Sequence, residues 1–381
     1  MCNAISDDLQ LEDGLKNLKI NRKICGKCAG SNGQPIVYIR KDDPPLCKEC
    51  FLSQTVHKLR SAFGKNNVIK SGDKVCMAFS GGSHSCSLLR MIHECNSSNK
   101  RLRFVPHLIH LVYDENSAQK AKVFAQDLDF EIQLVPIPEN SPLLKIKQFF
   151  AENQHNSSLS ALEYFERWLK LKFLCQITES LDTKYLLTAE CSNRLAVECL
   201  AGLVQGRGSN CSSEIAFSDV RFGSVTLVRP LYEMLATQVL FYLKLKELSP
   251  VNCLDSISDI VLSSDKPVST IDRKSEELIS YLQFGNFPSS VFNILRIASK
   301  LSDNSESYDR KCSICAASFS LQQDPHKLAS DALDFSNSLC QPIDAPSSSL
   351  VDTPHSHQFC HACTINFDQL STSMRSIFRD L

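Results

Sequence analysis

Eight of the 18 cysteines in this 381-residue chain stand in four Cys-x2-Cys pairs, two near each end. Cys25 and Cys28 are followed after 18 residues by Cys47 and Cys50; Cys312 and Cys315 are followed after 44 by Cys360 and Cys363. A Cys-x2-Cys turn offers two thiolates to one ion, and two such turns complete a tetrahedral site. With sulfur at every position nothing is left open for a substrate, so each group predicts structural Zn2+. Reduced thiols and an iron–sulfur cluster are the alternatives for the first group. The second has a Ser/Asp/Pro-rich spacer containing Cys340, and His355, His357 and His361 crowd its last pair. Its expected role is also structural, including docking of a partner.

A third constellation is a loop. The apolar run Val75-Cys76-Met77-Ala78-Phe79 stops at Ser80-Gly81-Gly82-Ser83-His84-Ser85, and a helical pattern begins at residue 86. Glycines let a backbone turn tightly between strand and helix, and the helix start points N–H groups at an anion. Ser80, Gly81, Gly82, Ser83, His84 and Ser85 are therefore the candidate phosphate-binding residues. Neither Ser83 nor His84 supplies a fixed cation or a metal-binding carboxylate, so the cradle is expected with its chemistry weakened. Glu190-Cys191-Ser192-Asn193-Arg194 follows another apolar run, where α/β sheets place ligands. Cys191 reads there as a buried thiol rather than a nucleophile. Gly206-Arg207-Gly208 reads as a flexible basic loop, with Arg207 either touching phosphate or exposed in a turn.

The elements that must position these residues alternate. Strand-length apolar runs occur at 75–79, 108–113, 132–137, 185–189 and 225–228, and helical stretches at 86–95, 118–128, 159–179, 194–204 and 232–248 separate most of them. Continuously apolar strands alternating with helices predict a doubly wound, mostly parallel α/β sheet covered on both faces. Along 159–179, Leu162, Phe165, Leu169 and Phe173 form one stripe that Trp168 and Leu171 widen, which predicts a heavily covered helix. Helices are also expected at 1–20, 53–62, 276–284 and 290–301, with breaks at 256–270 and 302–308. The expected division is a basic zinc module at 1–62, an α/β domain at 68–250, linker and helices at 251–305, and a Cys-rich segment at 306–381.

Composition narrows the classes. No apolar run approaches the ~20 residues that span a bilayer, and the start lacks the layout of a secretion signal. A cytoplasmic protein without membrane association is expected, where paired cysteines read as metal ligands rather than disulfides. The net charge of −1 is uneven. Residues 14–74 hold 13 Lys and Arg against 4 Asp and Glu, a balance of +9 that leaves −10 for the remainder. Four thiolates with Zn2+ would lower that module to near +7. A basic module on an acidic body predicts a polyanion partner.

In their order along the chain, these motifs resemble the PP-loop ATPase superfamily and, within it, the cytoplasmic tRNA 2-thiolation protein subunit 2 family. The resemblance also rests on Asn193-Arg194-Leu195-Ala196, Gly206-Arg207-Gly208 and Arg229-Pro230-Leu231, and covers nearly the whole chain. It implies a heterodimer with a catalytic thiolase sister subunit. Together they would place sulfur, delivered from the thiocarboxylate of a ubiquitin-like carrier, on the wobble uridine of tRNA. In active members ATP first adenylates the uridine carbonyl; the Ser-Gly-Gly loop holds pyrophosphate, and the signature continues Lys-Asp-Ser.

This chain departs from that pattern. Ser83 and His84 stand where Lys and Asp are expected, which argues against ATP and Mg2+ in this chain. Ser158-Leu159-Ser160-Ala161-Leu162 replaces a cysteine pair, Cys253 stands without its partners, and Ser192-Asn193-Arg194 replaces carboxylates. The expectation is a noncatalytic, tRNA-binding scaffold subunit. Two alternatives stay open: an active ATP-dependent thiolase using Ser85, His84 and Asp114 near the nucleotide, and a zinc-organised adaptor of the ubiquitin system.

Overall fold

The structure is a computed structural model that describes residues 24–40, 43–97, 102, 104–151, 158–251, 269–285, 287–301, 310–319 and 359–378. The first cysteine group runs into α1 (Lys48–Asn66), whose Phe51, Leu59 and Ala62 are buried. The sheet then begins: β1 (Val75–Ala78), α2 (Ser83–Ser97), β2 (Pro106–Val112), α3 (Glu115–Gln126) and β3 (Ile132–Pro136). Helices α4 (Pro142–Ala151) and α5 (Leu159–Ser180) lead to β4 (Tyr185–Leu187) and α6 (Ser192–Val204). A 3-10 turn (Gly208–Asn210) joins α6 to the short α7 (Cys211–Ile215), before β5 (Ser218–Asp219), β6 (Thr226–Val228) and α8 (Ala236–Leu245). Further on lie α9 (Ile271–Phe284), α10 (Ser290–Ala298), the hairpin β7 (Arg310–Lys311) and β8 (Ser318–Phe319), α11 (His361–Asp368) and α12 (Thr372–Ile377).

The main sheet has the order β3-β2-β1-β4-β6-β5. Its first five strands pair in parallel, and β5 closes one edge antiparallel to β6. The expected doubly wound, mostly parallel architecture is what the chain adopts. Period-two alternation shows why the strands are apolar throughout. Val75, Met77, Leu187 and Val228 enter one core with Phe51, Leu88 and Tyr242, while Cys76, Ile109, Leu186 and Leu227 enter another with Phe165 and Trp168. Both faces are covered. At its two-residue length, β5 leaves little unpaired edge for another chain to join.

Two differences from expectation have clear causes. The α4 helix carries the apolar Leu143 and Ile146 behind Pro142 at its first position, a helix start that periodicity alone did not reveal. β5 contains Ser218 and Asp219, residues without strand propensity, and is held by pairing with Val228 and Leu227. The segments expected at 1–20 and 302–308, and most of 256–270, lie outside the described residues, as do Cys253, Cys340, His355 and His357. No helix among the described residues is long and apolar enough to cross a membrane.

Candidate functional site

The Ser-Gly-Gly loop lies between the carboxyl end of β1 and the start of α2, near the middle of the sheet. Gly81 has φ +77°, a left-handed conformation that favours glycine. The loop is tied internally: Ser85 Oγ donates to the Gly82 carbonyl at 3.0 Å and lies 3.3 Å from Ser80 Oγ. It is also tied externally, because Val251 N donates to the Gly81 carbonyl at 2.8 Å. A methyl group built on Gly82 would meet only Ser80 Oγ, at 3.6 Å, so the surface of the turn is open. The geometry suits an anion, but the side chains of Ser80, Ser83, His84 and Ser85 bring no permanent positive charge.

A cavity of about 240 Å3 opens from this loop and runs beneath α5 and α6. Its walls carry Glu190, within the motif expected at the carboxyl end of β4, and carboxylates that sequence reasoning did not single out, among them Glu163 and Glu166 on α5. Glu166 is only 4% exposed, on a helix whose apolar stripe was expected to be its buried side. The signal available was two acids at i, i+3 inside an otherwise apolar helix. Glu190 Oε2, Thr188 Oγ1 and Trp168 Nε1 are buried at this cavity without a hydrogen-bond partner. Asp114, by contrast, caps α3, accepting from Asn116 N at 2.8 Å and Ser117 N at 3.0 Å. Hydrogen bonds from Ser117 hold its carboxyl below the ordinary range.

The far wall of the cavity comes from α9. Asp272 approaches Arg194 at 3.5 Å and Arg167 at 3.7 Å, and Arg194 Nε donates to Glu198 Oε1 at 2.9 Å. Burial would raise the Glu198 carboxyl, but Arg167 and Arg194 hold it below its usual value. Ser160, where the resemblance places a thiol, instead accepts from the Ile271 backbone N–H at 3.0 Å and anchors the start of α9. Ser192 donates from both N and Oγ to the Met234 carbonyl, and Asn193 Oδ1 accepts from Ala236 N at 3.0 Å. These residues pin α6 to α8. Cys191 is fully buried, and it is the single cysteine among the described residues lining the cavity.

Arg207 is neither exposed nor turned toward a phosphate. It is 2% exposed, paired with Glu214, and it donates to Tyr164 Oη at 2.7 Å. Its guanidinium lies 4.1 Å from the centre of the Trp168 ring, which stacks on Phe222. Glu214 also accepts from Arg221, and Asp219 is held between Arg221 at 2.8 Å and Arg229 at 3.3 Å. Burial pushes the Asp219 carboxyl up, yet these guanidiniums bring it below 3.8. A buried guanidinium needs such partners, and β5 and α7 supply them.

Each four-cysteine group converges. The ligand atoms of Cys25, Cys28, Cys47 and Cys50 lie within 4.8 Å of one another, and so do those of Cys312, Cys315, Cys360 and Cys363. A zinc ion bound by sulfur at ~2.3 Å in a tetrahedron requires S···S edges of about 3.8 Å. Cys28 and Cys47 are 3.9 Å apart, and Cys315 and Cys360 are 3.5 Å apart. Both donor sets fit one such ion. In the first group Cys47 N donates to Cys25 Sγ and Asn32 N to Cys28 Sγ, each at 3.4 Å. Backbone donors at Cys28 and Cys47 bring the Cys25 thiol down to about 6. In the second group Tyr164 Oη lies 3.1 Å from Cys363 Sγ, with Arg207 behind it. Hydrogen bonds from Cys312, Cys360 and Cys363 hold Cys315 well below the ordinary thiol range.

Part of the basic module's charge is neutralised inside the chain. Arg40 pairs with Asp43, Lys65 with Glu233 and Lys74 with Asp182, while the half-buried Lys58 donates to Gln238 at 3.4 Å. Lys27, Lys48 and Lys70 are exposed.

Comparison with known proteins bears on the whole arrangement. Residues 52–252 match the model of a protein family described as the PP-loop domain. The protein named Cytoplasmic tRNA 2-thiolation protein 2 from Danio rerio is 28% identical, over 79% of this chain and 72% of its own. Its namesake from Drosophila yakuba is 24% identical over 76% of each chain. Among solved structures, the U34-tRNA thiolase NcsA from Methanococcus maripaludis, with its 4Fe-4S cluster, superposes with a TM-score of 0.56. At 19% identity, over 78% of this chain and 92% of that one, the likeness is one of fold.

Proposed function

The chain belongs to the PP-loop family and is homologous to the cytoplasmic tRNA 2-thiolation protein 2 proteins, and from that premise we propose that it is a noncatalytic, tRNA-binding subunit of a cytoplasmic tRNA wobble-uridine 2-thiolation complex. The observation that carries this reading is a cradle with its turn intact and its charges gone. Ser83 and His84 open α2, and the cavity lining brings Glu163, Glu166 and Glu190, while its Arg167, Arg194 and Arg229 are already paired with Asp272, Glu198 and Asp219. Carboxylates facing a triphosphate raise its binding cost, and a phosphoryl site without preorganised cations loses orders of magnitude in rate. The donor set around the loop does not fit ATP with Mg2+. Among the described residues the cavity offers one thiol, Cys191, whereas an iron–sulfur cluster needs several thiolates.

The chemistry then falls to a sister subunit that activates the uridine and receives sulfur from a ubiquitin-like carrier's thiocarboxylate. This chain supplies grip and shape. Zn2+ held by Cys25, Cys28, Cys47 and Cys50 fixes a basic module, residues 1–62, whose Lys27 and Lys48 face outward to meet phosphates. Residues 68–250 form the degenerate PP-loop domain, and α9, within 251–305, brings Asp272 to its cavity. Zn2+ held by Cys312, Cys315, Cys360 and Cys363 fastens the segment 306–381 to α5.

The test is to purify the chain with and without its sister subunit and follow tRNA binding, ATP–pyrophosphate exchange and thiolation. Binding without exchange by the isolated chain, and full thiolation by a complex carrying His84→Ala, are expected. Robust adenylation of tRNA by the isolated chain would establish the alternative, an active thiolase. So would a Gly82→Arg complex that assembles normally and no longer thiolates.

A further inference from the structure

Outside the cavity and the two four-cysteine groups, one more pair of sulfurs meets among the described residues. Cys199, in the last two turns of α6, and Cys211, the first residue of α7, place their Sγ atoms 2.8 Å apart. Each is 3% exposed. Both sit in a small apolar cluster with Leu195, Ile215 and Ala298. The chain between them carries Arg207, and its Leu203, Val204 and Ser209 are exposed. Neither sulfur serves the cavity or a metal site. Closing them into a disulfide requires a movement of less than about 1 Å, to a bond of ~2.05 Å.

The two thiols are not equivalent. The hydrogen bond between them lowers Cys211 and raises Cys199, and the charge of Arg207 lowers Cys211 further. Cys211 is thus the attacking sulfur and Cys199 the resolving one.

We propose that Cys199 and Cys211 form a redox-active dithiol that closes to a disulfide across the base of the Arg207 loop. The oxidant is a peroxide. The Cys211 thiolate attacks one peroxide oxygen, the O–O bond breaks, and a sulfenic acid forms as the first water leaves. Cys199 then attacks the Cys211 sulfur; the S–O bond breaks, the S–S bond forms, and a second water departs. Two thiols lose two electrons and two protons, and one peroxide becomes two waters. The bond fastens the end of α6 to α7 and shortens the tether on either side of Gly206-Arg207-Gly208. That loop holds the guanidinium behind Tyr164 and Cys363, and a methyl group on Gly206 would already meet His361 at 3.2 Å. The state of this dithiol therefore sets how freely the loop adjusts beneath the carboxyl-terminal cysteine group.

The experiment treats the zinc-loaded full chain with hydrogen peroxide, alkylates remaining thiols under denaturing conditions and maps peptides by mass spectrometry. Trypsin cleaves at Arg207 and separates the two cysteines into peptides 195–207 and 208–221. The expected product is these two peptides joined, two hydrogens lighter than their sum, and parted again by dithiothreitol. In Cys199→Ser the joined species disappears and Cys211 becomes trappable by dimedone, the sulfenic-acid reagent. Recovery of both peptides singly alkylated after peroxide treatment overturns the proposal. So does linkage of either cysteine to one of the zinc-binding groups instead, with zinc release read in parallel.

Discussion

The two four-cysteine groups use the same ligands in the same paired turns, yet they are embedded in opposite ways. The amino-terminal group takes its donors from its own loops: the backbone N–H groups of Asn32 and Cys47 and the Asn32 side-chain amide, with Cys28 half-buried although Cys25, Cys47 and Cys50 join the main core. The carboxyl-terminal group is served by the body of the protein. All four of its sulfurs are buried, Tyr164 of α5 touches Cys363, and Lys172 of the same helix donates to the Ser313 carbonyl at 2.9 Å. An identical ligand set can therefore be supported by its own local loops or serve as a clasp between distant segments, depending on where the outer partners originate.

That contrast can be broken by substitution. Cys363→Ser should cost about 4–5 kcal/mol, because metal loss uncovers the apolar face of α5. Cys28→Ser should leave the main unfolding transition nearly in place while abolishing tRNA binding. Denaturant unfolding beside a filter-binding assay checks both, and equal destabilisation by the two would erase the distinction. Next in size, Arg207→Met should cost about 3 kcal/mol, since it takes away a charged partner of buried Glu214 and the donor to Tyr164. A destabilisation no larger than that of an exposed arginine would show that the clasp needs no cation behind it.

A third test uses pH. Arg221 and Arg229 overcome burial and hold the Asp219 carboxyl below 3.8. A depressed carboxyl adds stability above its unfolded value, and that stability is lost as pH falls through the folded value. Asp219→Asn should therefore cost about 2 kcal/mol near neutrality and flatten the acid limb below pH 3.8. Unfolding curves across that window decide it. The smallest effect on stability, within about 0.5 kcal/mol, is expected for Lys27→Ala with Lys48→Ala. The same pair should reduce the salt slope of tRNA binding by roughly 0.7–0.9 for each phosphate that is no longer neutralised. An unchanged slope would move the RNA interface away from the amino-terminal module.

The sheet was legible because its strands are continuously apolar and lie in sequence order between helices. All five expected parallel strands formed, most of them shorter by a residue or more at one end. What escaped the sequence was polar and long-range. Arg207 reads as a surface loop residue until α5 and α7 supply Trp168, Tyr164 and Glu214 around it, from positions 43 and 7 residues away in the case of Tyr164 and Glu214. The heavy coverage of α5 was legible in its widened apolar stripe, but nothing in the sequence marked Glu163 and Glu166 as buried with it. The cradle's position was readable from a strand–glycine–helix pattern. The character of its cavity was not, because Glu163 and Glu166, Glu190 with Arg194, and Asp272 come from three separate stretches of chain.

The contact between Tyr164 and Cys363 spans 199 residues, and this separation governs synthesis as well as stability. A ribosome that has reached residue 301 has already completed the six-stranded sheet, while everything that shields Tyr164 and Phe165 from that side is still to come. During that interval the nascent chain exposes an aromatic face, the kind of surface that chaperones hold and aggregates recruit. Chains that lack Cys360 and Cys363 would keep that face uncovered, since these residues join the core around Phe165.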